Sequence, residues 1–160
     1  MEITCSMCDG GGKYWLLDTE ECRTCNGKGV VEIPSPTTEN YDFWIQVDGR
    51  RYKKSSHGGG PGKWLLFVNK GEVDDVWKKI RQDTLDENLG SSSKVSTKRG
   101  WLYKGMPQDY VICVHTPNCK DKEDIKRVRH RLREIGFTGE IGYKSDQATK
   151  KGSNEILYKD

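Results

Sequence analysis

Residues 62–68, Gly-Lys-Trp-Leu-Leu-Phe-Val, are the stretch that most constrains how this chain can fold. The run is entered from a glycine-rich loop and left through Asn69-Lys70-Gly71. A continuous apolar run this short, bounded by turn residues, reads as a strand buried on both faces rather than as a helix. Apolar residues are only 33% of the 160, against 32% charged, so the core that forms on this strand must be modest and the surface densely charged. The net charge of +3 does not by itself mark a nucleic-acid binder. Any electrostatic reading must come from where the lysines and arginines sit.

The first thirty-odd residues are built differently. Cys5-Ser6-Met7-Cys8-Asp9-Gly10-Gly11-Gly12 and Cys22-Arg23-Thr24-Cys25-Asn26-Gly27-Lys28-Gly29 are two copies of Cys-x-x-Cys-x-Gly-x-Gly. Each Cys-x-x-Cys folds into a tight knuckle with both thiolates on one side, and the glycines let backbone amides turn toward the sulfurs. Two knuckles supply Cys5, Cys8, Cys22 and Cys25 as a tetrahedral four-sulfur site for one structural Zn2+. With four protein ligands the ion has no open position for water, and its role is to fold a segment too small to fold alone. The competing reading is two redox-active or disulfide-bonded pairs. The repeat resembles the cysteine-rich zinc module of DnaJ-type co-chaperones, though a single pair holds one metal. Residues 13–17 are expected to pair with residues 30–33 as a short hairpin. No N-terminal signal pattern and no membrane-length apolar run is present, which implies a cytoplasmic setting and thiols kept reduced.

Residues 34–40, Pro-Ser-Pro-Thr-Thr-Glu-Asn, have the composition of an extended connector and divide a module at 1–33 from a domain at 41–160. In that domain residues 41–47 read as a strand and 50–61 as a basic loop. The loop ends in Gly-Lys but lacks the spacing and the Ser or Thr of a phosphate loop. An amphipathic helix is expected over residues 72–89, with Asp74 and Asp75 at its positive end and Gly90 as its stop. Strands follow at 94–97 and 109–115, separated by a loop or hairpin at 99–105 that carries Trp101. A second helix opens at a capping Asp121, buries Ile125, Val128, Leu132 and Ile135, and closes at Gly136. A last clear strand at 140–144 precedes a polar tail, with room for an edge strand at 156–158. This order implies an α+β fold, a curved and mostly antiparallel sheet with both helices on one face and the other face free for a ligand.

The ordered series Gly62-Lys63-Trp64-Leu65-Leu66-Phe67, Val73-Asp74-Asp75-Val76-Trp77, Leu89-Gly90, Lys94-Val95-Ser96-Thr97, Val111-Ile112-Cys113-Val114, Arg127-Val128-Arg129 with Leu132-Arg133, and Ile141-Gly142-Tyr143-Lys144-Ser145-Asp146 resembles the basophilic-leukaemia-expressed protein family over residues 41–160. That resemblance implies a translation initiation factor 4E-like fold. The Gly-Lys-Trp-Leu strand and the Ile-Gly-Tyr segment are similar to the cap-binding factors themselves, whose concave face holds a methylated guanine between two tryptophans. Here the stretch from Val47 to Lys63 is short and offers Tyr52 as its sole aromatic, so the resemblance does not extend to that sandwich.

Candidate ligand residues follow from the expected strands. Lys94, Lys98 and Arg99 lie in or after one strand, and Lys144, Lys150 and Lys151 in or after another; together they suit phosphates, with Ser96, Ser145 and Thr149 as neutral donors. Lysines at strand ends also serve solubility and edge protection. Arg51 and Tyr52, among Arg50, Lys53 and Lys54, form the densest basic and aromatic cluster, and Trp101 beside Lys98, Arg99 and Lys104 is a second stacking candidate. Trp44, Trp64 and Trp77 read as core. The three histidines show no relay spacing, and Cys113 reads as an inert buried thiol. The reading is a non-catalytic nucleotide or nucleic-acid binder with a structural zinc module. The alternative is an adaptor that grips a protein partner with that module and the arginine-rich helix at 126–133. An enzyme acting on phosphate esters has least support, since no paired carboxylates or open metal position can be assigned.

Overall fold

The computed structural model describes residues 2–5, 8–14, 17–22, 25–32, 34–49 and 59–160, and divides into two compact units, Met1–Ser35 and Pro36–Asp160.

In the first unit β1 (Glu2–Thr4) pairs with β4 (Val30–Glu32), and β2 (Lys13–Tyr14) with β3 (Leu17–Glu21), both antiparallel. The hairpin expected between residues 13–17 and 30–33 therefore does not form. Each segment instead pairs crosswise: the strand before one knuckle runs beside the strand after the other. The knuckles carry matching hydrogen bonds, Cys5 N to Gly29 O and Cys22 N to Gly12 O, each 2.8 Å. Gly12 and Gly29 are fixed by this arrangement. Both have positive φ, and a Cβ would lie 2.2 Å from Gly27 O and 2.1 Å from Gly10 O respectively.

The second unit is a curved six-stranded sheet, all of it antiparallel, with spatial order β10-β9-β6-β8-β7-β5. Its strands are β5 (Trp44–Asp48), β6 (Gly62–Asn69), β7 (Ser92–Ser96), β8 (Asp109–Thr116), β9 (Gly142–Ser145) and β10 (Tyr158–Lys159). The helices are α1 (Val73–Leu85), α2 (Lys98–Tyr103), α3 (Lys122–Glu134) and α4 (Asp146–Lys150). The register sorts side chains by face, because directly paired residues point the same way. Trp64, Leu66 and Val68 of β6 share one face with Val114, Ile112 and Tyr110 of β8, Tyr143 of β9 and Ser93 and Val95 of β7.

The two long helices cover that face. Trp64 Nε1 donates to Ile125 O of α3 at 3.2 Å, and Thr84 Oγ1 of α1 bonds Ser93 Oγ at 2.7 Å. Trp77, Ile80, Val128 and Leu132 are fully buried beneath them. Each such side chain contributes roughly 1.5–3 kcal/mol of transfer free energy. Asp121 Oδ1 caps α3 by accepting Asp124 N at 3.1 Å.

Four expectations are corrected. β6 is buried along its whole helix face but on the other face only at its start, where Lys63 is buried; Phe67, further along that face, is 67% exposed. Residues 98–103 are a helix rather than a loop, because Thr97 accepts the amide of Gly100 and starts a turn. Ser145 does the same for Ala148 and turns the expected tail into α4. Helix α1 stops at Leu85 rather than at Gly90, whose Cβ would sit 2.2 Å from His115 O; that glycine serves close strand packing. Residues 36–39 bond into this unit: Pro36 O accepts Lys98 N, Thr37 binds Asp74 through its amide and hydroxyl, and Glu39 O accepts Arg99 N.

Candidate functional site

The four knuckle cysteines are buried and free of disulfides, and their sulfurs lie within 4.8 Å of one another. Cys5 and Cys22 sulfurs are 3.8 Å apart, and those of Cys8 and Cys25 are 3.7 Å apart. Disulfide sulfurs sit at about 2.05 Å, so these are not half-formed bridges. Gly29 N points at Cys25 Sγ from 3.3 Å, the amide-to-sulfur contact that stabilises a thiolate. The cluster is a site that can hold a metal ion.

In the second unit the face opposite the long helices gathers three rows of side chains. The first runs Asp48, Ser92, His115, Lys63, Lys144; the second Gln46, Lys94, Cys113, Leu65, Gly142; the third contains Trp44, Ser96, Val111 and Phe67. Alternation in four strands brings these residues to one side, and this is why sequence order scatters them. Lys94 and Lys144 of the expected set do share the face, with Lys63 between His115 and Lys144.

Lys63 is only 6% exposed, a burial that sequence reasoning within an apolar strand did not anticipate. Its ammonium is held by Asp146 Oδ1 of α4 at 2.7 Å. Beside it, burial and the charges of Lys94 and Lys63 outweigh Asp146 and push the His115 imidazole down to about 4, so the ring is neutral at physiological pH. Burial likewise raises the thiol pKa of Cys113, two residues away on the same face.

Trp44, read from sequence as core, is half-buried on this face. The ammoniums of Lys94 and Lys104 lie 4.5 and 5.5 Å from its ring centroid. Neither lysine, nor Lys144, has an ion-pair partner among the described residues. Period-two alternation counted from Val47, which is buried, would have placed Trp44 on the open side. Next to this pair is a cavity of about 300 Å³ lined by Ser96, Gly100, Trp101, Lys104, Val111 and Phe67 among others.

The remaining candidates fall in different places. Trp101 borders the cavity but is pinned: it stacks on Tyr110 with centroids 5.9 Å apart and donates Nε1–H to Pro107 O at 2.6 Å. Ser96 Oγ accepts Val111 N, and Ser145 is committed to its cap. Arg99 turns away to Tyr41 O and the Phe43 ring, and Lys98 is half-buried at the start of α2. Arg51 and Tyr52 lie outside the described residues. The arginines of α3 are engaged within the unit. Arg127 binds Asp124, Asn88 O and Leu89 O; Arg129 is buried against the carbonyls of Phe137, Gly139 and Asp160; Arg131 grips Asp83. No described helix is long and apolar enough to cross a membrane.

A family model described as Basophilic leukemia-expressed protein Bles03 matches residues 58–151. Among solved structures, the chain is similar to eIF4E-3 of C. elegans, determined with the 4E-binding protein Mextli and a cap analog. The TM-score is 0.56 at 14% identity, covering 78% of this chain and 75% of that one. It is also similar to eIF4E-3 of Ascaris suum with an m2,2,7G cap, with a TM-score of 0.51 at 16% identity over 72% and 68% of the two chains. These likenesses establish a translation initiation factor 4E-like fold.

Proposed function

Since the chain belongs to the basophilic leukemia-expressed protein Bles03 family, we propose that it is a non-catalytic nucleotide or nucleic-acid binder that uses the open face of a 4E-like sheet. The observation that carries this reading is the pair of ammoniums, Lys94 and Lys104, drawn over one indole with no carboxylate among the described residues in ion-pair contact with either. Like charges held together on a sheet face favour an anion between them. The neighbouring cavity offers the Phe67 and Trp101 rings to a base. From Phe67 back to Lys63 is four residues along β6, about 14 Å, a span that suits a base at one end and a short phosphate chain reaching Lys144, the neighbour of the ion-paired Lys63, at the other. The structural neighbours were solved with cap ligands, which supports a nucleotide as the ligand class.

A protonated Cys113 thiol beside a neutral His115 lacks a thiolate nucleophile and its imidazolium partner, which favours binding over turnover. In the knuckle pair, zinc is the metal. A tetrahedral site with Zn–S bonds of about 2.3 Å has sulfur–sulfur edges of about 3.8 Å. The separations of 3.7 and 3.8 Å match it. This module serves as a structural domain of its own, in a compartment such as the cytoplasm where thiols stay reduced.

The test is thermal melting against a panel of mononucleotides, capped dinucleotides and short RNAs. Phosphate-bearing ligands raise the melting temperature of the wild type, and Lys94→Ala or Lys144→Ala removes the rise. No shift across the panel would overturn the reading.

A further inference from the structure

Seven large hydrophobic side chains are exposed among the described residues, and five of them, Tyr41, Phe43, Leu102, Tyr103 and Met106, lie on two short segments. Those segments are tied to each other. Arg99 Nη1 donates to Tyr41 O at 2.5 Å, Thr97 N donates to Phe43 O at 3.2 Å, and Gly100 backs so closely onto Phe43 O that a Cβ would approach to 2.7 Å. The aromatic rings meet as well: Phe43 and Tyr103 are 5.3 Å apart, edge to face, with the Arg99 guanidinium 4.8 Å from the Phe43 centroid. Tyr41 and Tyr103 are 83% and 79% exposed, leaving their ring faces open to solvent.

The charge of this patch is one-sided. Arg99 belongs to it, Lys98 precedes it on α2, and Lys104, with its ammonium over Trp44, borders it on the cavity side; none has an ion pair among the described residues. Of its two acids, Glu39 is buried with its carboxylate accepting the amides of Tyr41 and Asp42, which leaves Asp42 alone at the surface. An apolar groove for a protein helix would present aliphatic side chains with few charges at its centre. Open rings interleaved with unneutralised cations suit stacked bases and the phosphates between them.

The geometry points to a single-stranded nucleic-acid platform formed by Tyr41, Phe43, Tyr103 and Arg99, with Lys98 and Lys104 as its phosphate contacts. Bases stack on the tyrosine rings and the strand crosses the Phe43–Arg99 pair. The platform goes beyond the mononucleotide site, because the rings that define it do not line that cavity.

The test is fluorescence anisotropy with labelled oligouridylate and oligothymidylate of about twelve nucleotides, a length in the range one stacking domain occupies. Wild type is compared with Tyr41→Ala/Tyr103→Ala and with Lys126→Ala, which removes an exposed α3 charge. Removing two stacking rings weakens binding at least about twenty-fold. The melting temperature and any mononucleotide shift stay as in the wild type, and Lys126→Ala changes little. Oligodeoxyuridylate, which differs from the first strand in the 2′-hydroxyl alone and from the second in the base methyl group alone, separates the sugar from the base.

Three results overturn the platform. They are no binding of either strand to the wild type, equal affinity of the double tyrosine variant, and an equal loss in Lys126→Ala, which would mean charge alone. Sedimentation of the same variants tests a second copy of the chain as the occupant: self-association lost with the tyrosines, without strand binding, refutes the proposal. Ring-dependent strand binding with no mononucleotide shift would sink the cavity reading and leave this one standing.

Discussion

Replacing His115 by Gln isolates one ionisable group at the centre of the open face. In the folded protein the imidazole protonates near 4, against about 6.5 for an unperturbed histidine. As pH falls the unfolded chain takes up the proton first, so the neutral ring contributes its full share of stability above about pH 7 and loses it through the window from 6.5 to 4. The full shift corresponds to about 3 kcal/mol at the lower end, and to about 2 kcal/mol between about pH 7 and pH 5. Water at a half-buried ring trims the latter to between about 1 and 2 kcal/mol. Burial is its main cause, and charges on every neighbouring element adjust it: Asp146 at the start of α4 opposes the shift, while Lys94 on β7 and Lys63 on β6 deepen it. Urea unfolding followed by tryptophan fluorescence at about pH 7 and about pH 5 gives the difference, with the carboxylates common to both proteins cancelling. Wild type loses more stability on acidification than His115→Gln by that amount. Equal losses in the two proteins would refute the account of a neutral, cation-flanked imidazole.

Stripping the metal from the knuckles with a strong chelator, or changing Cys22 to Ser, abolishes the strand pairing of residues 2–32 and releases one zinc per chain, read by elemental analysis and by loss of amide dispersion in NMR spectra. Arg131→Ala leaves the Asp83 carboxylate, now bound at 2.7 and 2.9 Å, without its fork, and lowers the urea midpoint, whereas Lys126→Ala on the same helix does not. Gly62→Ala forces a Cβ to within 2.2 Å of Tyr143 Oη, whose hydroxyl bonds Thr116 Oγ1 at 2.6 Å, and costs about 1–3 kcal/mol in thermal unfolding. Adding Tyr143→Phe restores part of that loss, since the ring carbon still lies 2.5 Å away.

Periodicity made the central architecture legible. The apolar run of β6, the spaced Val73, Trp77 and Ile80 of α1 and the stripe of α3 are patterns that local sequence carries whole. The cysteine cluster was legible too, since spacing and glycines are repeated together. Short elements were not. Helix α2 has six residues, a glycine and two aromatics, so its only local signal was Thr97 as a cap; α4 was announced only by Ser145. The open face escaped for another reason. Lys63, Lys94, His115 and Lys144 become neighbours through strand register, a long-range property, and a lysine inside an apolar run looks like an interruption rather than a buried ion-paired group. Trp44 was misplaced because a tryptophan in an edge strand satisfies hydrophobicity on either face. Conversely, the α3 arginines looked like a free basic surface because nothing local reveals that carbonyls from residues 88–89 and 137–139 fold back onto Arg127 and Arg129.

The crosswise pairing in the cysteine unit has a topological consequence. Glu2 stands opposite Glu32, so the chain enters and leaves this unit at one point, with its fold closed behind that point like a bead on a single stalk. A piece built this way can be lifted out of one chain or set into a loop of another without stretching the host. A metal ion held by the cluster would travel with it, because all four cysteines lie between the two ends.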